Sequence, residues 1–163
     1  MPKQPNLLFI YTDEQAAATL AAYGNNHIQM PNLNRLAAQG TVFEQAYVTQ
    51  PVCTPSRSSL LTGLWPHQSG LTENNVPLPK DIPCLPEMLG NHDYTTAHYG
   101  KWHLGDEIFA QHGFQEWRGI EDGYAKYYSD PETKDEVSDY HKWLVKKGVT
   151  PENGSRFGRG EAA

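Results

Sequence analysis

Long apolar runs are missing from this sequence. The longest one near the N-terminus, residues 7–11 (LLFIY), is far short of the roughly 20 residues that a membrane-spanning helix needs. No cationic segment leads into an apolar one, so the chain as given carries no export signal and cytoplasmic is the default expectation. Cysteine is scarce: Cys53 and Cys84, with no secretory context, are read as separate thiols rather than a disulfide. Basic runs are lacking too. Thirteen Lys and Arg stand against nineteen Asp and Glu, a net charge of -6, and nothing resembles the row of cations that tracks phosphates, which argues against nucleic acid as a partner. There are no internal repeats.

Overall hydrophobicity is also low, with a mean hydropathy of -0.65. Against that, 4 Trp, 9 Tyr and 5 Phe in 163 residues supply material for one domain's core with long loops around it. Residues 1–148 read as one domain portion, and residues 149–163, rich in Gly, Arg and Glu, as a polar tail where the chain appears truncated.

Residues 7–11 end at Thr12-Asp13-Glu14, the pattern of a strand buried on both faces of a largely parallel sheet, with two carboxylates at its end. Residues 31–38 predict a helix stopped by Gly40, and residues 41–48 favour extended structure. Pro55 and Gly63 bracket a second helix over residues 55–62, which leaves Cys53 just before its N-terminus. Residues 73–83 read as loop, 85–89 as a helical turn ended by Gly90, and 94–99 as another buried strand running into Gly100-Lys101-Trp102-His103. Asp130 and Pro131 predict the start of a helix that continues to about Lys147, with Val137, Tyr140 and Leu144 on one face and Gly148 as terminator.

Three clusters carry chemistry. Cys53, with Arg57 one turn away, faces the unpaired N–H groups and positive dipole of a helix start, which favours an anion there; the alternative is a small buried hydrophobe beside a surface arginine. Lys101 and His103 put a fixed cation and a titratable imidazole two residues apart after a strand, where α/β sheets place ligands; the alternative is a solvated lysine beside a structural histidine. Asp13 and Glu14 are either hard-oxygen ligands for Ca²⁺ or Mg²⁺ or a helix-capping strand end. His67 borders a pocket or packs on Trp65, with packing the favoured reading, and Cys84 reads as a core thiol. Neither His98 nor His112 has zinc-like spacing to a cysteine, and Tyr124, Tyr127 and Tyr128 read as packing before a sugar-stacking platform.

The run Pro51-Val52-Cys53-Thr54-Pro55-Ser56-Arg57-Ser58-Ser59-Leu60-Leu61-Thr62-Gly63 closely resembles the first signature of type I sulfatases. Tyr94 to Gly105 (YTTAHYGKWHLG) resembles their second signature, with Asp93 where the family usually has glycine, and the likeness extends over most of residues 6–120. The resemblance implies an alkaline-phosphatase-like α/β fold, a mostly parallel sheet flanked by helices, present here as an N-terminal portion. It also implies that a formylglycine-generating or anaerobic sulfatase-maturating enzyme converts Cys53 to formylglycine. One hydroxyl of the hydrated aldehyde would attack sulfur and displace the alcohol, and the other would let the covalent sulfate collapse to aldehyde and inorganic sulfate.

By the same resemblance Arg57 holds the hydrated aldehyde, Lys101 binds a sulfate oxygen, and His103 assists the nucleophile. Asp13 matches a metal ligand, usually for Ca²⁺, with Mg²⁺ or Mn²⁺ as alternatives. Glu14 stands where a second aspartate is common, and the modified Cys53 would complete the three. The implied substrate is a sulfate-ester small molecule or carbohydrate. A phosphonate or phosphate esterase of the same superfamily and a non-catalytic fragment are the competing readings. The further metal ligands and second lysine that sulfatases carry downstream have no counterpart after Trp117.

Overall fold

The computed structural model describes residues 4–89 and 94–151, which places Gly90, His92, Asp93 and most of the expected polar tail outside the described residues. The chain forms two compact units, Met1–Tyr47 and Val48–Ala163. No described helix is long and apolar enough to cross a membrane.

In the first unit, helix α1 (Pro31–Gln39) forms where the sequence predicts it: Pro31 is pre-set for a first helical turn, and Gly40 ends the helix. Two short 3₁₀ turns, Ala17–Thr19 and Ala21–Tyr23, precede it. The expected buried strand over residues 7–11 is absent. Those residues are irregular and exposed, Leu8 at 86%. A parallel strand exists only through hydrogen bonds to neighbours on its flanks, and among the described residues none pairs with this run. Residues 41–48 likewise form no strand; a turn at Glu44 and Gln45 interrupts them.

The second unit is built around a two-stranded parallel sheet. β1 (Ala97–Gly100) pairs with β2 (Glu116–Gly119) in the register Ala97 to Glu116 through Gly100 to Gly119. β1 is shorter than the 94–99 strand expected and is not buried on both faces: Tyr99 is exposed, its hydroxyl donating to Glu116 Oε2 at 2.7 Å. A pair of strands packed on one side leaves the other side to solvent. Parallel partners require a crossover of a dozen or more residues, and here it is residues 101–115, the segment that carries Lys101 and His103.

Among the described residues the second unit also holds α2 (Cys53–Thr62), α3 (Pro66–Ser69), α4 (Leu85–Met88) and α5 (Asp139–Lys146), the last packed on β2. α2 begins two residues earlier than predicted, so Cys53 is its first residue rather than a residue before it. Pro55 is compatible with that start because the first-turn N–H it lacks has no intrahelical acceptor. Gly63 closes the helix at φ 72°, its N–H donating to Ser59 O at 2.9 Å. The single helix expected from Asp130 to Lys147 is instead a 3₁₀ turn at Pro131–Thr133 followed by α5. Asp122 Oδ1 takes the Ser138 N–H at 2.7 Å, and the Ser138 hydroxyl accepts from His141 N at 3.2 Å, which restarts the helix at Asp139.

Leu71, Leu78, Cys84, Trp102, Leu104 and Trp117 form the core, with Leu61, Val76, Ile82 and Phe114 against it. The Trp102 ring meets His98, Trp117 and Phe114 edge-on, at centroid separations of 5.4, 5.2 and 6.0 Å. β2 passes so close to the crossover that a Cβ on Gly119 would run into the carbonyl oxygen of Glu107, which accepts from Trp117 Nε1 at 2.8 Å. Gly119→Ala is therefore expected to cost about 1–3 kcal/mol, the range for overpacking a tight contact, read as a lowered urea midpoint.

Candidate active site

Cys53, Arg57, Lys101 and His103 come together where the start of α2 meets the crossover after β1. The Lys101 ammonium lies 3.8 Å from Cys53 Sγ and 3.9 Å from Glu121 Oε1. Arg57, one helical turn on from Cys53, points inward and donates from Nη1 to the Lys101 carbonyl at 2.8 Å. Thr54 ties the same segment from the other side: its hydroxyl donates to the His103 carbonyl at 2.9 Å and accepts from Asn75 N at 3.3 Å, while Asn74 Oδ1 accepts the Thr54 N–H at 3.0 Å. Asn74 thus satisfies one of the orphan donors of the α2 start. Arg57, Lys101 and His103 are all buried, so their charges and dipoles act in a medium less polarisable than water.

His103 sits in the left-handed backbone region at φ 56°, a conformation that a residue with a Cβ adopts only under constraint. Its Nε2 pairs with Asn75 Oδ1 at 2.9 Å, so Nε2 carries the proton in that contact, and its ring stacks on Tyr124 at 4.1 Å and 26°. Underneath, the fully buried Glu107 carboxylate accepts from Trp102 N at 3.1 Å and His103 N at 2.5 Å.

A cation aimed at a cysteine on the first residue of a helix, with a second cation behind it, is an arrangement for holding an anion. The sulfatase family model matches residues 5–150. This chain belongs to the sulfatase family. It is 34% identical over 147 residues to an N-acetylglucosamine-6-O-sulfatase of Bacteroides thetaiotaomicron, covering 90% of this chain and 25% of that one. To the N-acetylgalactosamine-6-sulfatase of Homo sapiens it is 32% identical over 158 residues, covering 87% and 30%. Among solved structures, BT4656 in complex with its substrate D-glucosamine-2-N,6-O-disulfate superposes with a TM-score of 0.69 at 35% identity, covering 75% of this chain and 24% of that one. The sulfatase chain therefore spans between a quarter and about three-tenths of the length of the relatives it matches. Its fold is the alkaline-phosphatase-like α/β fold, of which the described residues form a small parallel sheet with helices.

His67 is exposed on α3 and stacked on Trp65, the packing alternative. Asp13 and Glu14 are exposed in the first unit, Glu14 at φ 57°. Two carboxylates offer at most four oxygens, whereas Ca²⁺ takes about 6–8. Among the described residues the only gathering of three or more His, Cys, Asp or Glu ligands is Cys84, Glu87 and His112, which includes neither of them. That trio is accounted for by structure: Glu87 accepts the Cys84 N–H at 2.7 Å at the α4 start, and burial pushes the Cys84 thiol up to about 12.

Sequence reasoning missed Glu107, Asn74, Asn75 and Glu121, and read Tyr124 as packing. Each occupies a polar or turn-rich stretch with no motif of its own; only the fold brings Glu107, Asn75, Glu121 and Tyr124 to Lys101 or His103, and Asn74 to the Thr54 N–H at the α2 start.

Two buried titratable groups set opposite pH dependences. Burial raises Glu107 from 4.5 to about 8, against the pull of the His103 and Trp102 amides and Arg57; Glu121 adds to the rise. The folded state then holds a proton that the unfolded state loses, so this contribution to stability is present below pH 4.5 and lost as pH rises towards 8. Burial lowers His98 from 6.5 to about 4, with Arg57 adding to the fall and a hydrogen bond to the Gly100 backbone opposing it, so its contribution is lost as pH falls through that window. The two oppose each other between 4.5 and 6.5, and above 6.5 only Glu107 still titrates. The melting temperature is expected to fall from pH 6.5 to 8, with a smaller fall in Glu107→Gln, checked by calorimetry at matched ionic strength.

Proposed function

We propose that this sulfatase chain serves the hydrolysis of sulfate esters of carbohydrates, with Cys53 as the residue that a maturation enzyme converts to formylglycine. The observation that carries the reading is the Lys101 ammonium 3.8 Å from Cys53 Sγ on the first residue of α2, with the Arg57 guanidinium directed into the same corner. The substrate in the BT4656 complex is D-glucosamine-2-N,6-O-disulfate, and Ps i-CgsB in complex with k-i-k-neocarrahexaose superposes with a TM-score of 0.61 at 30% identity. Once formed, the hydrated aldehyde supplies an oxygen nucleophile on the same carbon that now bears sulfur.

The chain's own residues divide the remaining work. Lys101 holds a sulfate oxygen and stabilises negative charge as it moves towards the leaving alcohol. Arg57 fixes the Lys101 backbone and adds a second positive charge behind the helix start. His103, its ring held between Asn75 and Tyr124, supplies a titratable imidazole to the hydrogen bonding around the nucleophile. Asp13 and Glu14 suit a hard divalent cation such as Ca²⁺ by donor type, yet they fill only part of its shell.

Peptide mass spectrometry of the chain expressed beside a formylglycine-generating enzyme tests the assignment. Cys53 is expected as the aldehyde, with conversion reduced in Pro55→Ala and Arg57→Ala. Recovery of only the thiol, while a known sulfatase in the same cells is modified, would remove Cys53 from this role.

A further inference from the structure

The crossover after β1 must do something its sequence does not do unaided. Three consecutive residues, Lys101, Trp102 and His103, turn their side chains to three different environments: the ammonium to Cys53, the indole into the core, and the imidazole onto Tyr124. That requires His103 to take φ 56°. A non-glycine residue there is strained and persists only where its surroundings over-determine it. Thr54 and Arg57 hold the His103 and Lys101 carbonyls, and Glu107 holds the amides of the same turn. Glu107 is fully buried and four residues on, and each oxygen of its carboxyl group accepts one backbone N–H, Trp102 on Oε2 and His103 on Oε1. Its own backbone is pinned in turn, because its carbonyl accepts the Trp117 indole N–H at 2.8 Å and abuts Gly119 of β2.

We infer that Glu107 is a positioning residue of this site, its buried carboxyl group holding the 101–103 backbone so that the Lys101 ammonium reaches Cys53 and the His103 ring lies on Tyr124. It touches neither Cys53 nor a substrate and acts only through the backbone it holds. The alternative use of a buried carboxylate, as partner to a buried cation, is secondary here: Arg57 and Glu121 act on Glu107 through space, while the two amides are its direct partners. The geometric claim stands on these hydrogen bonds; its meaning for catalysis rests on the sulfate-ester reading.

Nuclear magnetic resonance on the histidine-labelled chain tests it without any turnover. In the wild type, stacking on Tyr124 is expected to shift the His103 ring protons upfield, and the hydrogen-bonded Trp102 and His103 amides are expected to be protected from exchange. Gln at 107 keeps one acceptor and sets an NH₂ group against the other amide, whereas Leu keeps none. The upfield shift is therefore expected to shrink in Glu107→Gln and to vanish in Glu107→Leu, while the Trp117 indole N–H resonance reports that the core persists. A His103 signal unchanged in a folded Glu107→Leu would overturn the inference. If the leucine variant does not fold, the glutamine variant and the wild-type amides decide: an unshifted His103 signal in Glu107→Gln, or Trp102 and His103 amides that exchange as fast as an open loop, overturns it equally. None of these readouts depends on conversion of Cys53, so the failure of one proposal is distinguishable from the failure of the other.

Discussion

Lys101→Ala is expected to lower kcat/KM for an aryl sulfate by about 10²–10³-fold in an active sulfatase carrying this chain, equivalent to losing about 2.7–4 kcal/mol of transition-state stabilisation. The ammonium is largely buried and needs no reorganisation to meet charge at Cys53. A surface lysine could not produce an effect of this size, because water screens an exposed charge to about 1 kcal/mol or less. Glu121, 3.9 Å from the ammonium, shares Lys101 with any incoming anion. Glu121→Gln should therefore leave the reaction far less affected than loss of the lysine. Steady-state kinetics with kcat and KM separated check the assignment: a fall confined to KM would make Lys101 a ground-state binding group, and unchanged kinetics would remove it from the site.

The second large effect is on stability. Trp102→Ala should cost about 3–5 kcal/mol, the range for deleting a buried tryptophan, against a total of only about 5–15 kcal/mol for a typical domain. Trp102 is 1% exposed and is the hub at which His98, Phe114 and Trp117 meet. It also lies between Lys101 and His103, so the cavity left behind would open under both. Urea titration followed by circular dichroism reads the loss; a change below about 1 kcal/mol would show that the aromatic cluster does not hold the second unit together.

How far the sequence was legible depends on the range of the interaction that decides each element. α1 and α2 carry their own proline starts and glycine stops, so local chemistry suffices for them. Residues 7–11 and 94–99 have the composition of buried strands, but pairing is decided by partners distant in sequence, and composition is silent on whether those partners are there. The helix expected from Asp130 breaks because Asp122 takes Ser138, a tertiary hydrogen bond invisible to periodicity. The site divides in the same way. Cys53, Arg57, Lys101 and His103 stand in two motifs of unusual residue density. Glu107, Asn75 and Tyr124 act through one backbone conformation, and a lone glutamate in a Gly-Asp-Glu turn reads as solvated until the crossover folds over it.

The left-handed backbone at position 103 sets two selective demands against each other at one codon. Glycine there would remove the Cβ conflict, and asparagine would ease it. A lineage that needed only to fold would drift towards one of them, and each such replacement would be rewarded in stability while erasing the imidazole. A histidine at φ 56° therefore sets a conformational penalty against the presence of an imidazole at that corner of the site.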